Sequence, residues 1–259
     1  MKRRTFLQST LAASCLPLSV GSSASAAENE SARQFLVWRR YVIANEDQQN
    51  KVSEFLRSAA LPALDRLNVK PVGVFTEMGA DAGLSISTLT AFDSLSDWTE
   101  LGDRLAADQT FISAADEYLS SPKNAPAYER IESQLMIAFA GYPRVKTPRS
   151  GERIFELRTY ESHSEVQAKL KIEMFNDAEL KIFDTVGLDG VFYGETLVGS
   201  NLPNLTYMLA YKDMAEHDRA WEAFRADPDW VQLRERPRYR DTVSKIINRF
   251  LQPTEYSQI

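Results

Sequence analysis

The sequence predicts an α+β fold: two ferredoxin-like βαββαβ units packed sheet to sheet as a pseudo-dimeric α/β barrel. Three observations predict it. Apolar residues alternate between two-residue and 3.6-residue spacing in the order strand, helix, strand, strand, helix, strand. That order occurs twice in 259 residues. The two occurrences also align without a gap at a shift of 119 positions: "LGDRLAADQTF" (101–111) falls on "AWEAFRADPDW" (220–230), with Asp108 on Asp227 and Phe111 on Trp230. A four-stranded sheet with two helices on one face leaves its other face bare, and two copies in one chain hide both bare faces against each other.

The second unit is the clearer. "RIFELRTY" (153–160) alternates and reads as a strand. "SHSE" (162–165) reads as a capping box with Ser162 as N-cap. The helix behind it carries Val166, Leu170, Met174, Ala178 and Ile182 at four-residue spacing and ends at Gly187. Strands follow at 190–199 and 205–212 around the "SNLPN" turn. Asp213 with Glu216 opens a second helix, stopped near Pro228, and "VSKIINRF" (243–250) is the closing strand.

The first unit repeats the order. Strand 35–43 leads to a helix over 46–67, bent or interrupted at Pro62. Strands 71–78 and 84–92 flank the Gly79–Gly83 turn, a helix covers 95–107, and strand 130–139 closes the unit. "GYPRVKTPRSGE" (141–152) has two prolines and two glycines and reads as a linker. The expected domains are therefore 33–140 and 153–252.

Side-chain parity nominates a site. Leu36, Trp38 and Arg40 match Phe155, Leu157 and Thr159, a mostly apolar set that suits a helix-facing core. The alternate set is Val37, Arg39 and Tyr41 against Glu156, Arg158 and Tyr160. Tyr207 and Tyr211 join it from the third strand of the second unit. Placed between the sheets, Arg39, Tyr41, Glu156, Arg158, Tyr160, Tyr207 and Tyr211 would line a cleft for a small, partly aromatic or anionic molecule. The same residues also suit a structural seam, with Arg158 paired to Glu156.

"FELRTY", the amphipathic helix after it, "GVFYGETLVG", "YMLAYKDMAEHDRAWEAFRADPDW" and "INRFL" together resemble the NIPSNAP family. The resemblance covers most of residues 153–251. The first unit has "ADQTF" where the second has "ADPDW" and looks like a diverged copy. The resemblance implies a dimeric α/β-barrel fold. It carries no agreed catalytic set, and fold does not set function.

The N-terminus is different in kind. "MKRRTFLQSTLAASCLPLSVGSSASAA" (1–27) reads as a secretory signal, and Arg3-Arg4 before Phe6-Leu7 looks like a twin-arginine address. It predicts export to the periplasm through the twin-arginine machinery, with cleavage after Ala26 or Ala27. Cys15, the one cysteine of the chain, leaves with the signal, so no disulfide or thiolate chemistry is expected. Loss of Lys2, Arg3 and Arg4 leaves 27 basic against 36 acidic residues, a formal charge of −9. That balance argues against nucleic acid and anionic membranes as partners. No segment is long and apolar enough to span a membrane.

The chemistry on offer is sparse. His163 and His217 are the two histidines, 54 positions apart, and no metal site is expected from them. His163 is the one candidate axial ligand for a haem, no Gly-rich phosphate loop is present, and no cofactor is expected. "RERPRYR" (234–240) reads as a solvated loop. His163 and Tyr160, close to Arg158 at one strand end, are the acid–base candidates. Three function classes stay open: an exported small-molecule binding protein, a cofactor-poor monooxygenase or isomerase, and an assembly module without a ligand, with homo-oligomers compatible with each.

Overall fold

The computed structural model describes residues 33–79 and 83–259. The expected signal segment, 1–27 with Cys15, and residues 80–82 of the expected 79–83 turn lie outside them. The first half runs β1 (Phe35–Val42), α1 (Glu46–Phe55), a π-helical turn (Leu56–Ala60), α2 (Leu61–Arg66), β2 (Gly73–Glu77), β3 (Ser85–Phe92), α3 (Leu95–Thr99), α4 (Leu101–Ala106), α5 (Gln109–Ala114), α6 (Asp116–Leu119) and β4 (Arg130–Ala138). The second half runs β5 (Ile154–Glu161), α7 (Glu165–Met174), a π-helical turn (Phe175–Glu179), α8 (Leu180–Thr185), β6 (Asp189–Val198), β7 (Asn204–Tyr211), α9 (Met214–Ala226), α10 (Pro228–Arg234) and β8 (Lys245–Pro253).

A shift of 119 carries β1 onto β5, α1 onto α7, the first π turn onto the second, α2 onto α8 and β3 onto β7 with both bounds coinciding. The caps follow the same shift. Asn45 and Ser164 accept from the backbone N–H groups of Gln48 and Gln167, and Asp108 and Asp227 each accept from two N–H groups of the helix they open. Gly187, at φ +80°, ends α8 in a conformation that other residues adopt at a cost.

The eight strands close into one barrel in the order β1-β3-β2-β8-β5-β7-β6-β4, all neighbours antiparallel. Each half contributes four strands in ferredoxin-like order. Two seams join them. In one, β2 pairs β8 at Phe75↔Pro253 through Glu77↔Leu251. In the other, β4 pairs β6 between Leu135↔Val198 and Ala138↔Gly194. At that seam a Cβ on Gly194 would lie 3.0 Å from the Met136 Cβ, so the strands meet closely there.

The barrel interior is filled by Leu36, Trp38, Phe75, Leu89, Phe155 and Met208 with their neighbours. This inverts the expected parity. The plain apolar set points into the barrel, and the set with Arg39, Tyr41, Glu156, Arg158, Tyr160, Tyr207 and Tyr211 points out, under the helices. An eight-stranded barrel has an interior just wide enough to be filled by side chains, and nothing amphipathic covers it. It takes the residues that need no hydrogen bond. The helix-covered face can supply polar partners.

Local differences have local causes. Ser164, not Ser162, caps α7, because β5 runs on through Glu161 and the Ser162 hydroxyl donates to the Thr242 carbonyl, 2.6 Å away. The buried face of α7 and its π turn runs through Ala168, Lys171, Ile172, Phe175 and Glu179, leaving Val166 67% exposed. A stripe counted in apolar residues misses it, since two of its members are charged. "ADQTF" and "ADPDW" do not merely stop helices. Their aspartates start new ones, α5 and α10. Tyr239 of the "RERPRYR" segment is buried, so that segment is not wholly solvated.

Candidate functional site

Each half lays helices over the outer face of its strands, and the two halves fill the space between strand and helix differently. In the second half, β5 places Glu156, Arg158 and Tyr160 on its outer face. Glu156 is fully buried. It accepts from Arg158 Nη1 at 2.5 Å, and from the Tyr211 hydroxyl and Trp221 Nε1 at 2.9 Å each. His217 Nε2 lies 3.5 Å from the same carboxylate. Arg158 also donates from Nε to the Tyr160 hydroxyl, 3.3 Å away, and stacks 4.4 Å from the Trp221 ring centre. The Tyr160 and Tyr207 hydroxyls are 2.7 Å apart. Deeper in, Lys171 and Glu179 form a buried pair at 2.6 Å, with the Lys171 ammonium 4.6 Å from the Phe175 ring.

Burial works against the Arg158 charge, yet Tyr207, Tyr160 and Glu156 around it hold its pKa above the ordinary arginine value. Burial pushes the Tyr207 hydroxyl well up, and the Tyr211 hydroxyl up with the Glu156 carboxylate adding to it. The Glu179 carboxyl is raised by its burial against the pull of Lys171. The network therefore supplies its own partners. Arg158 is paired to Glu156, one of the two arrangements the sequence left open.

The first half is emptied at the matching positions. Thr88 stands where the second half has Tyr207, Val74 where it has Tyr193, and Leu56 and Leu64 where it has Phe175 and Phe183. Val52 and Ala60 replace the Lys171–Glu179 pair, and Gly102 replaces Trp221. The result is a cavity of about 100 Å³ between the outer face of β1 and β3 and the helices above. Its floor is Val37, Arg39, Tyr41, Thr88, Thr90 and Phe92, and Leu61, Trp98, Leu101 and Phe111 help to roof it.

Arg39 is exposed, lines this cavity and takes part in no ion pair among the described residues. Burial pushes the Tyr41 hydroxyl pKa up against the pull of Arg39 beside it. Tyr41 meets Tyr128 edge-on at 6.0 Å, and Tyr118 stacks on Phe55 at 3.7 Å.

The seven residues nominated as a binding set thus fall into two places. Arg39 and Tyr41 line the first-half cavity. Glu156, Arg158, Tyr160, Tyr207 and Tyr211 form the second-half network, and neither place is between the sheets. Of the acid–base candidates, Tyr160 is in the network, while His163 is exposed in the loop before α7. His217, read from sequence as an ordinary helix-face residue, sits against Glu156, Tyr211 and Phe250. Sequence reading also missed Lys171, Glu179 and the part played by Gly102. The internal alignment held that last signal, as a run of large-to-small differences between the two halves. Among the described residues, no group of three or more His, Cys, Asp or Glu is placed to hold a metal ion, and no helix is long and apolar enough to cross a membrane.

Fold and site together define an α/β barrel of the dimeric type, closed here within one chain. Residues 155–258 match the NIPSNAP family model. Among solved structures, a candidate monooxygenase from Lactobacillus acidophilus is similar at a TM-score of 0.58 and 10% identity, covering 85% of this chain and 94% of its own. A second, from Fusobacterium nucleatum, gives 0.57 and 10%, covering 85% and 92%. A NIPSNAP-like domain protein from Burkholderia xenovorans gives 0.38 at 21% identity over 42% of this chain and 90% of its own. The likeness to the two longer structures shows the fold alone. No curated protein matches the chain in sequence.

Proposed function

We propose that the chain binds a small molecule with an apolar, ring-sized body in the first-half cavity, with Arg39 at its edge taking an anionic or carbonyl oxygen. The observation that carries this is the emptying of the first half at the positions the second half fills with Phe175, Phe183, Tyr193, Tyr207 and Trp221. A void of about 100 Å³ is below the size of engineered cavities that hold benzene, about 150 Å³, so one ring with modest adjustment is its upper limit. The Arg39 guanidinium offers a planar fork to an oxygen pair.

Gly102 provides the test. Gly102 is exposed next to the lining residue Leu101 and matches Trp221 at the shift of 119, and a Cβ there meets nothing within 4 Å, so Gly102→Trp has room for its indole. Benzoate, as probe, is expected to raise the melting temperature of the wild type and not of Gly102→Trp, with Arg39→Ala weakening it about tenfold. Equal shifts in wild type and Gly102→Trp would refute the site.

The fold likeness to candidate monooxygenases keeps an enzymatic reading beside this one. The lining speaks for binding. Arg39 and Tyr41 are its ionisable members among the described residues, and burial keeps the phenol protonated near neutral pH. Such groups donate hydrogen bonds and do not abstract a proton there. Oxygen uptake with a bound phenol would overturn the preference.

We further propose export by the twin-arginine route. The support is Arg3-Arg4 before Phe6-Leu7. Replacement of both arginines by lysine is expected to hold the chain in the cytoplasm. Normal export of the wild type in cells lacking that route would exclude it.

A further inference from the structure

The side chains inside the barrel change character toward one end. Trp38, Leu157 and Leu251 form an apolar floor. One step outward along the same parity come Arg40, Ser87, Gln134, Thr159, Glu77 and Arg249, around a cavity of about 400 Å³. The charges there are linked in a chain. Arg249 lies 3.3 Å from Glu77, Glu77 3.6 Å from Arg40, and Arg40 3.4 Å from Glu132. Arg130 reaches the other side of Glu132 at 2.8 Å.

Two features of this chain matter. The three contacts on the cavity are long for charge-assisted bonds, which settle near 2.7–2.9 Å. The Arg40 Nε is buried with no hydrogen-bond partner. Each guanidinium carries five donors, and among the described residues the side-chain hydrogen bonds they make are Arg40 Nη1 to Glu132 and Arg249 Nη1 to Glu77. Two arginines, Arg40 and Arg249, meet two carboxylates, Glu77 and Glu132, in the cavity lining, so the site is balanced in charge while the chain as a whole has 36 acidic and 30 basic residues.

We propose that this end of the barrel is a second binding site, for a small hydroxylated carboxylate. The Arg40 fork, with Arg249 beside it, takes the carboxylate. Ser87 and Thr159, hydroxyls that both donate and accept, take the hydroxyl of the acid. Thr159 already bonds the Thr206 hydroxyl at 2.9 Å, which fixes it in place. A monocarboxylate fits better than a phosphate, because Glu77 and Glu132 repel a second negative charge. The apolar floor suits the carbon side of a small acid. This site is separate from the first-half cavity, which lies outside the barrel wall.

The test is calorimetric titration of the purified chain with L-lactate as probe, and with inorganic phosphate and glucose as comparisons. Saturable binding of lactate, and not of the other two, is expected. Arg40→Lys keeps the charge and loses the fork, and is expected to weaken binding about tenfold. Glu132→Gln removes a competing carboxylate from a half-exposed rim position, and is expected to tighten binding several-fold. That variant decides the matter should Arg40→Lys not fold. Gly102→Trp is expected to leave lactate binding unchanged. The proposal is overturned if lactate does not saturate, if phosphate or glucose binds as tightly, if Glu132→Gln leaves the affinity as it was, or if Gly102→Trp abolishes binding.

Discussion

Glu156 is fully buried and accepts from Arg158, Tyr211 and Trp221, so each of its oxygens is engaged. A buried pair of this kind adds little net stability compared with an apolar replacement, but breaking it is costly, because the surviving charge is left without a partner. Glu156→Ala is accordingly expected to destabilise the chain by about 3–5 kcal/mol in urea denaturation. Glu156→Leu combined with Arg158→Met is expected to recover most of that loss. A single variant with unchanged stability would show that the network carries no weight in the fold. At this scale the sequence was half legible. The alternation of strand β5 separates Glu156, Arg158 and Tyr160 from Phe155 and Leu157 without ambiguity. It does not say which set faces inward, because both faces of this sheet are buried, one in the barrel and one under helices. Arginine and tyrosine suggested a cleft, yet they bond one another and Glu156 along β5 and β7, with Trp221 of α9 closing on Glu156 from above.

Elements were legible where a local signal exists. Strands β1, β3, β5 and β7 lie within one residue of their expected bounds, since runs of β-branched, aromatic and apolar residues ended by turn residues mark them. The helix expected over 46–67 is present in three pieces, α1, the π turn and α2. A π turn inserts a residue into the helical repeat and leaves no composition of its own, so periodicity alone reads through it. The turns fall at 56–60 and 175–179, the same place in both halves. There they rotate the end of each helix relative to its start. In the second half this brings Lys171 and Glu179, eight residues apart, into contact at 2.6 Å. In the first half the same turn carries Leu56 and Ala60, and space is left above the sheet instead. An identical backbone device thus serves a filled and an open site, and the side chains at four or five positions decide between them. Helices α5 and α6 escaped sequence reading because each is about one turn long and depends on packing for its stability.

At the scale of the molecule, the barrel is closed by two seams of unlike partners, β2 with β8 and β4 with β6. The doubled element order made this architecture legible, while the strand pairs that meet at each seam are non-local and left no trace in the sequence. The seams also say what half of the chain should do alone. Residues 153–259 contain a four-stranded sheet whose edges, β6 and β8, are both paired to the other half in the intact chain. Its inner face carries Phe155, Leu157, Val191, Phe192, Met208 and Leu251, all buried. Each such side chain is worth about 1.5–3 kcal/mol when removed from water, so a solitary half would expose more apolar surface than a small domain tolerates. By the shift of 119, β2 corresponds to β6, and β4 holds the place in its half that β8 holds in the other. A second copy of the fragment can therefore offer β8 to β6 and β6 to β8, closing a barrel with a two-fold axis. The fragment 153–259 is expected to elute with twice its chain mass in size-exclusion chromatography with light scattering. Leu157→Asp, on the face that would be shared, is expected to abolish that dimer. A fragment that stays monomeric and still melts cooperatively would show that the half sheet needs no partner, and would remove the physical reason for the intact chain to close its own barrel.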